Sequence, residues 1–235
     1  MREQDIIQSV APFFEEIERM GYEVEATSDF ERVAKIVPET GRLRQTPMMS
    51  VSRLDFTRHD AFWLILFKDG TPVGAAGAKY VDLEDESFAD YLQRTSRAQY
   101  EREDDPIAAI AAPIRDNFRG RLIYLGELEF IREHRGNLRM LEAFVKVLQG
   151  LAAVKWRGFD WMYAIIPEEH LKFAYLYGFV LTIPDGITWA APAPAGRLDS
   201  HAFIATEGRH MPHMFRSARD RLKRKRAREP SQKPA

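Results

Sequence analysis

Two carboxylates on one apolar stretch, followed at once by a short basic turn, are the residues of this chain best placed to do chemistry. The stretch Leu122 to Ile131 carries Glu127 and Glu129, then Arg132-Glu133-His134-Arg135-Gly136-Asn137 leads into a long segment from Leu138 to Trp156. Alternation along a strand puts Glu127 and Glu129 on one face and Leu128 and Phe130 on the other. Acids inside a sheet are costly unless solvated or paired, so these two either line a polar cleft or meet arginines of a covering element. In a cleft, such a carboxylate can take a proton directly or through water. The turn offers something different: a strand that feeds straight into a helix aims the first unpaired N–H groups of the helix at one spot beyond the sheet, and anions gather there.

The elements that must position these groups are legible from periodicity. Met140, Phe144, Val147, Leu148 and Leu151 recur on one side of a helix of about five turns. Arg139, Glu142, Lys146 and Gln149 fall on the other, which predicts one packed face and one wet face. Upstream, residues 5–20 read as an amphipathic helix that Pro12 should kink or shorten, Tyr22–Ala26 as a short strand, and a second helix from Ser28 or Asp29 as ending before Pro38. Residues 39–50 read as a surface loop, with Gly41, Arg42, Arg44, Pro47 and two methionines as possible lining of a substrate entrance. Ala61–Phe67 and Thr71–Val81 form a hairpin around Asp69-Gly70, a pair suited to the positive φ of a tight turn. Gly74 and Gly77 in its second strand suggest a bulge or a close backbone approach.

Residues 84–120 look like an inserted helical cap of two pieces bent near Glu101–Asp105, able to cover a pocket, pack, or form a dimer contact. Phe159–Ile166 reads as a strand, Glu168–Tyr177 as a short helix ended by Gly178, and Val180–Ile183, Gly186–Ala190 and His201–Thr206 as three short strands. His210 and His213 lack partners that would complete a metal set, so no metal is expected.

With 235 residues, 45% hydrophobic and 11% aromatic, the chain has ample material for one core with appendages. No apolar run approaches the roughly 18 residues of a membrane span, no export segment is visible, and a cytoplasmic location is expected. Cysteine is absent, so neither disulfides nor thiol nucleophiles are available. A net charge of −1 conceals an asymmetry: residues 216–235 hold nine Lys or Arg against two acids, so they carry +7 and the remainder −8. That tail can attract any polyanion, whether an acidic carrier protein, a nucleic acid or an anionic membrane.

Leu128 to Gly136 resembles motif A of the GNAT N-acyltransferase superfamily, and Phe173-Ala174-Tyr175-Leu176-Tyr177-Gly178-Phe179 resembles its motif B. Phe130 stands where the family usually has Val, Arg132 replaces a Pro, and Leu138 and Met140 occupy two later glycine positions; Ala174 sits where motif B has its Tyr. The order of strand, Arg-Gly loop, long helix, strand, short helix and Gly-Phe carries most of the likeness. The resemblance implies an α/β fold with a mixed, mainly antiparallel twisted sheet flanked by helices over residues 22–207, with an N-terminal helix (1–21), the 84–120 insertion and a basic tail (208–235) added. It implies N-acyl transfer from acetyl-CoA or a longer acyl-CoA to an amine on a small molecule or protein.

In that family the end of this strand and the following loop bind the donor, which assigns Phe130, Ile131, Arg132, Arg135, Gly136, Asn137, Leu138 and Arg139 to it. The Phe130 N–H would polarise the thioester carbonyl, Glu127 (or Glu129) would take the amine proton, and Tyr175, with Tyr177 second, would protonate the thiol. The missing glycines are also similar to the acyl-homoserine-lactone synthase and ornithine-lipid branch, which implies an acyl carrier protein as alternative donor. A catalytically degenerate binding protein, a nucleic-acid-associated protein and a homodimer remain open readings.

Overall fold

The structure is a computed structural model that describes residues 3–42, 45–53 and 56–228. Eight strands form one sheet: β1 (Glu23–Thr27), β2 (Ala61–Lys68), β3 (Thr71–Asp82), β4 (Ile107–Ile110), β5 (Arg121–Phe130), β6 (Trp161–Ile166), β7 (Leu181–Trp189) and β8 (Ser200–Glu207). Their order is β1-β2-β3-β5-β6-β8-β7-β4. Every pairing is antiparallel except β5 with β6. The mixed, mainly antiparallel α/β architecture expected from the sequence is therefore what forms.

Helices cover both faces. On one side α1 (Glu3–Arg19), α5 (Leu138–Lys155), the single turn α6 (Ala174–Tyr177) and α7 (Met211–Ala227) enclose a core that includes Phe13, Phe130, Phe144 and Phe215. On the other, α2 (Phe30–Glu39), α3 (Phe88–Tyr100) and α4 (Ala112–Asn117) accompany a second core around Trp63, Phe88, Tyr163 and Phe203. The β2–β3 hairpin turns at Asp69 and Gly70, both at positive φ (49° and 74°), as its Asp-Gly pair requires. Gly74 and Gly77 mark close approaches: a Cβ on Gly74 would lie 2.1 Å from the Phe130 ring, and one on Gly77 2.4 Å from Met49.

Several sequence expectations are corrected. Pro12 lies within an uninterrupted α1, and Pro38 lies inside α2, which ends one residue later. The second piece of the 84–120 insertion is mostly not helical: Ile107–Ile110 is an edge strand on β7, and only the short α4 follows. An alanine-rich run too short for a stable helix instead satisfies its backbone on an open sheet edge. Two of the three expected C-terminal strands are one strand, β7, with a register shift between Ile183 and Ile187.

The largest correction concerns the face of α5 expected to meet water. Glu142 (4% exposed), Lys146 (0%) and Gln149 (1%) are buried, because the presumed tail is α7, packed onto this face through Met211, Met214, Phe215, Ala218 and Leu222. Burial of charge is made tolerable by pairing. Glu142 accepts from Arg221 Nε (3.1 Å), Arg221 Nη2 (3.0 Å) and Lys225 Nζ (2.9 Å), and Arg226 Nε reaches Glu16 of α1 at 2.8 Å. Lys146 Nζ donates to Gln149 Oε1 (2.8 Å) and to the Tyr177 carbonyl (2.6 Å). Its pKa is pushed down to about 7 by burial. Three of the cations that made the tail basic are thus internal partners.

Arg221→Met removes two of the three charged hydrogen bonds to the buried Glu142. It is expected to lower stability in urea unfolding by about 1–3 kcal/mol, and Glu142→Leu in the same chain to restore most of the loss, because no buried charge is then left alone. A neutral single variant would contradict this docking of α7.

Candidate functional site

The site forms where β5 and β6 part. They pair in parallel for three residues only, Leu122–Tyr124 with Trp161–Tyr163, while β5 continues to Phe130 and β6 to Ile166. A cavity of about 570 Å³ occupies the wedge. On the α5 side it is walled by Leu141, Val145, Leu148, Phe173, Tyr177 and Phe179; on the opposite side it reaches Arg42, Thr46, Tyr124, Arg197 and His201. The cavity therefore passes through the sheet and opens towards both cores.

Backbone register decides what faces the wedge. The Ile131 N–H donates to the Val73 carbonyl of β3 at 2.9 Å, so the neighbouring residue, opposite Gly74, turns its N–H and C=O away from β3. The Phe130 N–H accordingly points into the wedge, where the Glu129 carboxylate accepts from it at 3.3 Å. The Phe130 carbonyl accepts from Arg135 Nε (2.8 Å), and Arg135 Nη2 donates to Glu129 (3.0 Å). Arg135 ties the strand end to the turn. Asn137 caps α5 by accepting from the Met140 N–H at 3.0 Å, and Gly136, at φ 85°, has no neighbour within 4 Å of where a Cβ would be.

A bulge sets the carboxylates. Between Gly126 and Glu129 the β3–β5 register shifts by one residue, and Glu127 takes a left-handed conformation (φ 61°), a strained state for a residue other than glycine. Its side chain is fully buried and is gripped by Arg42 Nε, the Thr46 hydroxyl and the Thr46 N–H, the last at 3.0 Å. Arg42 also lies 3.8 Å from Glu129. The face alternation read from the sequence survives the bulge, and the acids resolve into both readings at once: they border a cleft and pair with arginine.

The expected donor-site residues divide. Phe130, Arg135, Gly136, Asn137 and Leu138 line the cavity, as does Glu127. Ile131 is consumed by the β3 ladder, Arg132 lies in a 3-10 turn outside the lining, and Arg139 is turned to Glu16 of α1. Tyr175 does not reach the cavity: it is 61% exposed, about 200° around the helix axis from Tyr177, which does line it. Burial raises the pKa of Tyr177 and keeps its hydroxyl protonated. Arg44 is outside the described residues; of the 39–50 loop, Arg42 enters the site while Met48 and Met49 are core.

Sequence reasoning missed the residues that come from far along the chain. Arg197, which closes the Ala-Pro loop before β8, stacks on Trp189 (4.9 Å to the ring centroid) and donates from Nε to the Tyr100 hydroxyl at 2.6 Å. His201 Nδ1 accepts from Trp189 Nε1 at 3.1 Å, which places its proton on Nε2. Burial, then the nearby Arg197, push the His201 pKa down to about 4. Tyr124 stands beside them with its pKa raised to about 12 by burial. Among the described residues no cluster of three His, Cys, Asp or Glu could hold a metal, and no helix is long and apolar enough to cross a membrane.

No protein-family model matches this chain, and no curated protein matches it. Among solved structures it is similar to FeeM, an N-acyl amino acid synthase from uncultured soil microbes, at 16% identity and TM-score 0.48 over 84% of this chain and 94% of that one. It is also similar to BjaI, a CoA-dependent acyl-homoserine lactone synthase, at 14% identity and TM-score 0.44 over 86% and 90%. A third similar structure is Arabidopsis thaliana NAA60 in complex with acetyl-CoA, at 14% identity and TM-score 0.42 over 79% and 98%.

A histidine held neutral in the fold stabilises it fully above the unfolded pKa near 6.5, and this contribution is lost as pH falls through about 4. Chemical unfolding from pH 7 to pH 4 should therefore show wild type losing on the order of 2–3 kcal/mol more than His201→Gln. Parallel curves would place His201 in water.

Proposed function

We propose that the chain transfers an acyl group from a coenzyme A-type thioester to an amine. The observation that carries this reading is the Phe130 N–H, left out of both ladders and aimed into a cavity that is lined at one end by the first residues of α5. A thioester carbonyl displacing the weak Glu129 contact would meet a fixed donor on the side where negative charge develops. The Gly136-Asn137-Leu138 segment that opens α5 offers N–H groups and an unobstructed glycine to the donor's phosphates. Of the two residues at motif glycine positions, Leu138 is 42% exposed at the cavity mouth and Met140 is buried in the core.

The remaining roles follow from reach. Glu127, held by three donors, positions the Arg42 loop against the strand. Glu129, half-buried and within 3.3 Å of the Phe130 N–H, stays beside the reacting nitrogen when displaced and takes its proton through water. Tyr177, protonated and cavity-facing, supplies the proton to the departing thiolate, the role first assigned to Tyr175. The apolar wall of α5 and β6 suits an acyl chain longer than acetyl.

Thermal shift with coenzyme A, acetyl-CoA and a long-chain acyl-CoA tests the donor, since a ligand at a hundred times its Kd stabilises by about 2.7 kcal/mol. The long-chain thioester should give the largest shift. Release of free thiol with an amine panel should fall by roughly a hundredfold in Glu129→Gln while the thioester shift persists. Loading the same acyl chain on an acyl carrier protein separates the carrier-dependent alternative, and no stabilisation by either thioester would refute the reading.

A further inference from the structure

At the end of the cavity away from α5 lies an arginine that makes no ion pair with any described carboxylate. Arg197 Nη2 is fully buried and, among the described residues, has no hydrogen-bond partner, while its Nε is spent on the Tyr100 hydroxyl and its plane rests on Trp189. No described carboxylate forms an ion pair with it. The other cations at the cavity are answered: Arg42 by Glu127 and Glu129, Arg135 by Glu129. His201, neutral through the physiological range, adds no charge, and with its proton on Nε2 it can only donate there. Glu127 is close enough to act on Arg197 through space without touching it, so the cavity lies between a buried cation and the two acids of β5.

A buried guanidinium nitrogen with no hydrogen-bond partner is costly, and an anion bound there would complete it. A planar fork with a free nitrogen matches a carboxylate better than any other small anionic group of comparable abundance on amines. Resting on the acyl-transfer reading above, we propose that the acceptor is an amino acid, its carboxylate held by Arg197 and its amine presented to the wedge beside Glu129 and Phe130. Trp189 and Tyr100 fix the guanidinium in place, so little ordering is needed when the carboxylate arrives.

The reaction balances without a further reagent. The neutral amine nitrogen attacks the thioester carbonyl carbon, the N–C bond forms and the C–S bond breaks. One amine proton leaves, a proton is delivered to the thiolate sulfur, and the products are an N-acyl amino acid that keeps its carboxylate and a free thiol.

The test compares a panel of L-amino acids with their own carboxamides and decarboxylated amines on the wild-type protein. Binding is read by calorimetry, and turnover by thiol release with long-chain acyl-CoA. The carboxylate form of at least one member should bind and react roughly ten- to a hundredfold better than its carboxamide. Arg197→Gln should bring that ratio close to one, with Arg197→Lys retaining part of it. Carboxamides or simple amines that match or exceed the acids, or a failure of every amino acid to bind, would overturn the proposal, and this outcome needs no variant to fold. Amino acid binding that depends on Arg197 in a protein that ignores all thioesters would uphold the carboxylate site and sink the acyl-transfer reading instead.

Discussion

The structure depends on a failure of pairing. β5 and β6 share only three residues of parallel ladder, so over the rest of β5 one edge of its backbone has no strand beside it. Buried backbone groups must find partners, and here the partners are side chains and a cavity: Arg135 takes the Phe130 carbonyl, while the Phe130 N–H is left with a weak contact to Glu129. Everything that gives the site its chemical character follows from that opening. The wedge opens through the middle of the sheet, and the Phe130 N–H at its lip is a fixed dipole.

Keeping such a wedge open requires the rest of the fold to be rigid around it. Strand β6 cannot close onto β5 because its other edge is zipped to β8 over Trp161–Ile166, and β5 is held to β3 along nearly its whole length. The bulge at Glu127 adjusts this second ladder, and the Arg42–Glu127–Thr46 contacts hold the bulged residue in its left-handed state. Behind the wedge, α5 is locked by α1 and α7, whose buried ion pairs convert a charged face into an interior one. The same device appears twice: a buried acid on a central element, gripped by arginine from a distant segment.

The cavity has two chemically different halves because the sheet separates two cores. The α5 half is apolar and suits a hydrocarbon; the half bounded by Tyr124, Arg197 and His201 is polar and includes a guanidinium nitrogen with no hydrogen-bond partner among the described residues. A reaction between an apolar donor and a charged acceptor would meet at the sheet itself, where the free N–H lies.

Local pattern was enough to read the strand, turn and helix from Leu122 to Trp156, the β2–β3 hairpin, and the face shared by Glu127 and Glu129, because alternation, helical period and turn chemistry are properties of neighbouring residues. The corner at Arg135-Gly136-Asn137 was legible for the same reason, while the fold class came from the resemblance carried by the order of the elements. What the pattern could not decide was coverage. A run of Lys and Arg looks like a solvated tail until Arg221, Lys225 and Arg226 find Glu142 and Glu16, acids that lie 79 or more positions away. A periodic helix looks amphipathic until a second helix lands on its charged face. Likewise Arg197 carries no local signal: its meaning comes from Tyr100 and Trp189, brought beside it by the edge pairing of β4 with β7. The choice between Tyr175 and Tyr177 rested on the direction of a single helical turn. Sequence alone determined most of the elements and the residue types at the corner, whereas tertiary contact decided which charges are paired and which stay without an ion-pair partner among the described residues, since the energy of a charge depends on who stands next to it in space.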